Sequence, residues 1–335
     1  MGHPNRQPIA ILGAGSWGTA IALYLAKQGQ VVRLWTHEPS RIATMTAERA
    51  NNRYLPNHPF PDCLQVTGQL TEAADGIRDI LIAVPSAGFR DVLHTLKPLI
   101  DSSVRIVWVT KGLDLRSGQL LHEVAQEVLG AKRAYAVLSG PSFAGEVAAG
   151  LPTAVVIASH HQEFAQDLML RFNSALFRVY LSTDVTGVEV GGIVKNILAI
   201  AAGISDGMQL GANARSALIT RGLAEMMRLG IALGSQQETF TGLTGVGDLV
   251  LTCTDNQSRN RRFGLALGSG KTITEATREI GQVIEGKRNA ELVMLLAQKF
   301  AVDMPITETV WKILEDKMTV QEAMQNLLSR TPKPE

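Results

Sequence analysis

Two lysines, one aspartate and a short basic run are the residues in this chain best suited to chemistry. Lys195 and Asn196 interrupt an otherwise apolar helical stretch, VTGVEVGGIVKNILAIAAGISDG. At 3.6 residues per turn Lys195, Ala199, Ala202 and Asp206 share one face lined by small side chains. Small neighbours leave room for a ligand beside the amine; a lysine snorkelling its head to water from a buried stem has the same pattern. Asp248 follows glycines at 242, 245 and 247 and precedes an apolar helical run, where a carboxylate can cap the helix and be approached closely by a ligand. Ser258-Arg259-Asn260-Arg261-Arg262 then concentrates three arginines. A solvated basic turn looks like this, and so does a helix start that grips a phosphate monoester. Lys111 follows a β-branched run, as a solvated loop lysine or as a cation at a strand end.

A second constellation lies near the start. In PIAILGAGSWGTAIALYLA, Gly13, Gly15 and Gly18 form G-x-G-x-x-G between a strand and a helix. In that context the first glycine makes a tight turn, the second lets backbone approach a pyrophosphate, and the third lets helix and strand pack closely. A dinucleotide is the ligand this predicts. After the second strand, VVRLW, come Thr36 and His37, and the first acid is Glu38. An NAD-specific site ends that strand in Asp or Glu. The substitution favours NADP, with Arg33, His37 and Arg41 as candidates to receive its 2′-phosphate.

These residues need elements to position them. From Ile9 to about Thr183, β-branched runs alternate with helical stretches: Ile9–Leu12, Val31–Trp35, Asp79–Val84, Val104–Thr110, Ala134–Leu138, Ala154–Ala158 and Phe177–Leu181. That pattern predicts a mostly parallel, doubly wound α/β sheet of the Rossmann type, with Gly29 ending the first helix. Ligands bind beyond the carboxyl ends of such strands, so Pro85-Ser86, Lys111-Gly112 and Ser139-Gly140-Pro141-Ser142 should converge on one crevice. From Val185 to Leu328 the pattern is helical, with Thr241, Thr272 and Thr319 as caps. The expected domains are residues 1–184 for the dinucleotide and 185–335, all-α, for substrate and catalysis.

Composition excludes other classes. The 335 residues are 45% hydrophobic and 19% charged, as in globular proteins rather than disordered or fibrous ones. Lys and Arg number 32 against 31 Asp and Glu, a net charge of +1, so no global field attracts nucleic acid or an acidic membrane. Cys63 and Cys253 are too few for a disulfide framework and too far apart for a metal motif, which points to a reducing cytoplasm and no metal. The apolar stretch Ile197–Ile204 falls short of the roughly 20 residues of a membrane span. The polar head runs straight into a strand with no export signal, Arg6 argues against myristoylation at Gly2, and the tail Thr331–Glu335 is expected to fray.

Seven ordered blocks, GAGSWGTA (13–20), TKGL (110–113), SGPSFAGEV (139–147), GGIVKNI (191–197), GLTGVGDL (242–249), SRNRRFG (258–264) and VIEG (283–286), cover nearly the whole chain and resemble the bacterial NAD(P)-dependent glycerol-3-phosphate dehydrogenases. The resemblance implies reversible reduction of dihydroxyacetone phosphate to sn-glycerol 3-phosphate with NADH or NADPH, supplying glycerophospholipid synthesis, in a cytoplasmic homodimer. It further implies that Lys195 exchanges the proton, with Lys111 and Asp248 beside it in catalysis. Lys111, Gly140, Ser142, Lys195, Asp248, Ser258, Arg259 and Asn260 would contact substrate. Besides the three glycines, Ser16, Trp17, His37, Lys111, Ala144, Arg259, Val283 and Glu285 would line the cofactor. The ketone oxygen needs a proton and a positive environment as hydride arrives, and two nearby lysines supply both. A reductase of another β-hydroxyacid, or a non-catalytic NADP(H) sensor, would share the Rossmann half. The first would need a carboxylate clamp instead of the Ser258–Asn260 cluster, and the second would not need the two lysines and the aspartate together.

Overall fold

The computed structural model describes residues 7–329; the polar head and the tail Thr331–Glu335 lie outside the described residues. Ten strands form: β1 (Ile9–Leu12), β2 (Val32–Trp35), β3 (Ala50–Asn51), β4 (Leu55–Pro59), β5 (Leu64–Thr67), β6 (Asp79–Ile82), β7 (Arg105–Trp108), β8 (Tyr135–Ser139), β9 (Thr153–Ala158) and β10 (Phe177–Ser182). β3 and β4 pair as a separate ribbon, and the others make one sheet in the order β10-β9-β8-β7-β6-β1-β2-β5. The chain leaves β1 for β2 on one side and returns with β6 on the other, so the switch point lies between β1 and β6, directly beyond Leu12.

The central strands IAIL, DILI and RIVW are buried at every position, as both-face burial between helices requires. Alternate residues serve two cores. Ile9 and Ile11 pack with Leu23, Phe164 and Phe172, while Ala10 and Leu12 pack with Phe89, Leu93 and Trp108. At the amino ends of the strands, Asp79 accepts from Arg105 at 2.6 and 2.9 Å and from Arg171 at 3.3 Å. This buried ion cluster closes that end of the sheet.

The sheet is mostly parallel, as expected, and two of its details are not written in the sequence pattern. β8 and β9 are antiparallel in a sheet whose other pairs are parallel, and residues 140–152 between them hold the short helix Ala144–Ala149. The edge strand β5 and the β3–β4 ribbon have no sustained apolar alternation, so the pattern did not reveal them.

Backbone contacts divide the chain into two units: residues up to Asp114 with Gln119–Glu189, and Leu115–Gly118 with everything from Val190 on. The second unit is helical. Val185–Gly207 is long and apolar enough to cross a membrane by length and composition, but its apolar window is entirely buried, as in the core helix of a globular protein. Thr272 and Thr319 cap their helices through capping boxes closed by Glu275 and Glu322. Thr241 is not a cap. It ends the helix Gln237–Thr241, its hydroxyl donating to the Glu238 carbonyl, and the chain continues through a π-helical turn, Leu243–Gly247.

Glu225, on the helix Gly211–Ala232, accepts from the amides of Ile306 and Thr307 and from the Thr307 hydroxyl at 2.6, 3.1 and 2.9 Å. It thereby holds the start of the helix Pro305–Leu314. Burial pushes its carboxyl up to about 7 despite these donors. Between an unfolded value near about 4.3 and that folded value, the folded protein binds more protons, so this group makes stability fall as pH rises across the window. Glu225→Gln should therefore gain on wild type by roughly 1–3 kcal/mol between pH ~4.5 and ~7.5. Urea midpoints at both pH values measure this, and a constant difference would mean that Glu225 does not titrate there.

Candidate active site

In the first unit the glycine turn follows β1. Gly13 has φ +122°, and a Cβ there would lie 2.7 Å from the Ala83 carbonyl, so the turn tucks against the chain leaving β6. A Cβ on Gly18 would meet the Gly13 oxygen at 1.9 Å, which makes helix Ser16–Lys27 pack directly on the turn. Nothing lies within 4 Å of a Cβ on Gly15, and no side chain caps the amide end of this helix, where Ser16 and Trp17 stand half-buried. Glycines that bring backbone close and leave an uncapped helix start suit a pyrophosphate.

Other strand ends lie on the same edge of the sheet. The Thr110 hydroxyl donates to the Val84 carbonyl at 2.7 Å, tying the ends of β7 and β6 together beside Lys111. After β8, Gly140 has φ +137°, Ser142 donates to its carbonyl at 2.9 Å, and Ala144 opens the following helix. At the end of β2 the Thr36 hydroxyl is turned inward, accepting from the Glu38 amide at 3.3 Å, and His37 is exposed. Arg33 and Arg41, candidates for a 2′-phosphate, are otherwise engaged. Arg33 donates to the carbonyls of Glu72 and Asp75, and buried Arg41 donates to the Ala14 carbonyl, Asn51 and Glu38. Arg41 serves the backbone of the glycine turn and Arg33 the end of the helix Leu70–Ala74, roles no spacing rule reveals.

In the second unit Lys195 does not snorkel. Its side chain is 8% exposed, and Nζ donates to Asp248 at 2.5 Å and to the Thr252 hydroxyl at 2.9 Å. Asp248 is the first residue of its helix rather than the cap, which is Gly247. Gly191 explains the approach: a Cβ there would lie 2.4 Å from the Thr244 carbonyl, so the π-helical turn rests on the lysine's own helix one turn away. Thr252 was missed by sequence reading, although its i+4 spacing from Asp248 is the signal that finds it. Cys253, next along, is inert because burial pushes its thiol up to about 12.

Glycines outside the small-residue face of Lys195 pack the lysine helix. A Cβ on Gly203 would meet the Arg261 carbonyl at 2.1 Å, and one on Gly264 the Ile200 carbonyl at 2.1 Å, so the helix Arg259–Gly268 lies directly against the lysine helix. Ser258 caps that second helix through the Arg261 amide. Asn260 donates to Asn196, Lys195's neighbour, at 2.9 Å and accepts from the Gly286 amide at 3.0 Å. Glu285 opens the helix Glu285–Lys299, with Val283 half-buried just before it. The three arginines diverge. Arg261 is buried on the Cys253 carbonyl, Asn256 and Asp206, a structural tie. Arg262 is exposed, and Arg259 is half-buried with Nη1 on Gln282 at 3.1 Å. Gln282 was also missed. Among the described residues, no group of three or more His, Cys, Asp or Glu could hold a metal.

Comparison with known proteins gives the chain's family. Residues 8–165 match the family model of the NAD-dependent glycerol-3-phosphate dehydrogenase N-terminus, and residues 184–325 match that of its C-terminus. The chain is 57% identical over 333 residues to a glycerol-3-phosphate dehydrogenase (NAD(P)+) of Coxiella burnetii strain RSA 331, covering 99% of this chain and 100% of the relative. It is 52% identical over 332 residues to one of Haemophilus ducreyi, covering 99% of each. A crystal structure of the Coxiella burnetii glycerol-3-phosphate dehydrogenase superposes with a TM-score of 0.95 at 57% identity, over 98% of this chain and 100% of that one. With both halves of its length matched, the chain belongs to the NAD-dependent glycerol-3-phosphate dehydrogenase family.

Proposed function

We propose that this protein reduces dihydroxyacetone phosphate to sn-glycerol 3-phosphate, reversibly, with NADH or NADPH. The observation that carries the proposal is the buried Lys195 ammonium held by Asp248 and Thr252, on a helix hydrogen-bonded through Asn196 to the start of the Arg259 helix. An acid for an alkoxide and a grip for a phosphate monoester thus lie in one helical unit. Neither a β-hydroxyacid reductase nor a redox sensor calls for that pairing. Residues 1–184 hold the cofactor and residues 185–335 the substrate.

The bound nicotinamide supplies the hydride. Gly13, Gly15 and Gly18 with the amides of Ser16 and Trp17 would hold its pyrophosphate, and the family resemblance supports His37, Lys111, Ala144, Arg259, Val283 and Glu285 as further residues that would line it. Lys195 Nζ donates the proton to the substrate oxygen as it becomes an alkoxide, and recovers it in the reverse direction. Asp248 and the Thr252 hydroxyl both accept from this ammonium and fix its position. The family resemblance supports Lys111 as a second positive charge for the developing oxyanion and Gly140 and Ser142 as substrate contacts. Ser258, Arg259 and Asn260 hold the phosphate, fixing the reacting carbon. We extend the proposal to a cytoplasmic homodimer feeding glycerophospholipid synthesis, supported by the family resemblance and by two free cysteines.

Replacing Lys195 breaks a buried ion pair, which destabilises a fold by about 3–5 kcal/mol. The informative variants are therefore Lys195→Met and Lys195→Met/Asp248→Asn together. Each should lower kcat by about 10²–10⁴ while NADH binding, followed by its fluorescence, stays near wild type. Near-normal kcat in the folded double variant would remove Lys195 from the chemistry.

Arg259→Ala should raise KM for dihydroxyacetone phosphate by about 10-fold to 150-fold, the equivalent of a charge-assisted contact of roughly 1.5–3 kcal/mol. With unphosphorylated dihydroxyacetone as a poor substrate, wild type should lose most of its advantage over the variant. Equal impairment on both substrates would assign Arg259 to structure or cofactor.

A further inference from the structure

Arg53, on the link between β3 and β4, has no role in the chemistry above. Its side chain is 67% exposed, and Nη1 lies 3.7 Å from Glu38, the first acid after β2. Its guanidinium stands 5.5 Å from the centroid of the Tyr54 ring, and that of Arg41 stands 4.4 Å from it. Arg41 is the inner member of this group: buried, it donates to Glu38 at 3.0 Å and to the Ala14 carbonyl of the glycine turn at 2.8 Å. Asn51 of the same ribbon also donates to the Ala14 carbonyl, at 2.9 Å. The ribbon is thus pinned to the turn that receives a pyrophosphate, and Arg53 is its outward-facing cation at the carboxyl end of β2, where the ribose of a dinucleotide is read.

We propose that Arg53 receives the 2′-phosphate of NADP(H), and that Glu38, paired with it, accepts the ribose hydroxyl of NAD(H). The proposal rests on the dinucleotide function of the first unit. Arg33 and Arg41 are committed to backbone carbonyls, whereas Arg53 has a long contact to its carboxylate and a largely solvated head. A guanidinium meets phosphate oxygens in a bidentate fork. Glu38 keeps its hydrogen bond to Arg41 when Arg53 turns to the phosphate, so its charge remains balanced. The pair provides an acceptor for one cofactor and a donor for the other, which accounts for a site open to both.

Fluorescence titrations with NADPH and NADH in the absence of substrate, and calorimetric titration with adenosine 2′,5′-bisphosphate, test this. Arg53→Ala should weaken NADPH and the bisphosphate by about 10-fold to 100-fold, leaving NADH within about twofold, and Arg53→Lys should recover part of the loss as a point charge. Glu38→Gln should weaken NADH and spare NADPH. Unchanged NADPH binding in Arg53→Ala, or equal losses for both cofactors, would overturn the assignment. Wild type binding neither cofactor would instead overturn the dinucleotide function itself.

Discussion

The second unit is organised around one buried charge. An isolated ammonium out of water is penalised by several kcal/mol unless partners satisfy it, and Lys195 is 7% exposed. Asp248 supplies the opposite charge and the Thr252 hydroxyl a further acceptor, and Thr252 is oriented by donating to the Asp248 carbonyl at 2.6 Å. Each of the three groups helps to fix the next. A proton-transferring amine gains from this because its position is set before substrate arrives.

Backbone proximity makes the set achievable. Asp248 can reach Lys195 because Gly191 lets the π-helical turn rest on the lysine's helix, and the Arg259 helix lies flush because Gly203 and Gly264 admit carbonyl oxygens where side chains would stand. Side-chain removal here is a packing device. The same device works at Gly18 against Gly13 in the first unit, so both halves position their functional groups by bringing main chain against main chain.

Arginines divide the labour in a way composition hides. Arg105 and Arg171 close the amino end of the sheet on Asp79; Arg41 and Arg33 tie loops near β2; Arg261 locks two helices through Asp206. Each meets several acceptors in a planar fork, which suits internal ties. Asp79, Asp206 and Glu38 are thus matched by arginines within their own units, which the net charge of +1 does not reveal.

The alternation of short apolar runs with helices determined the doubly wound sheet, because both-face burial and 3.6-residue periodicity are local properties written in consecutive residues. The glycine turn was legible for the same reason, since strand, turn and helix adjoin in the chain. Lys195, Asp248 and Arg259 were singled out as polar groups in apolar or glycine-rich surroundings. Their pairing was implied by the family resemblance alone and not by any local pattern, because the Lys195–Asp248 contact joins residues 53 apart and depends on how closely two helices approach. The antiparallel β9, the β3–β4 ribbon, the commitment of Arg41 to the Ala14 carbonyl and the placement of Arg53 beside Glu38 were likewise settled by tertiary packing. A side chain's type states which bonds it can make, and only the folded neighbourhood decides which partner takes them.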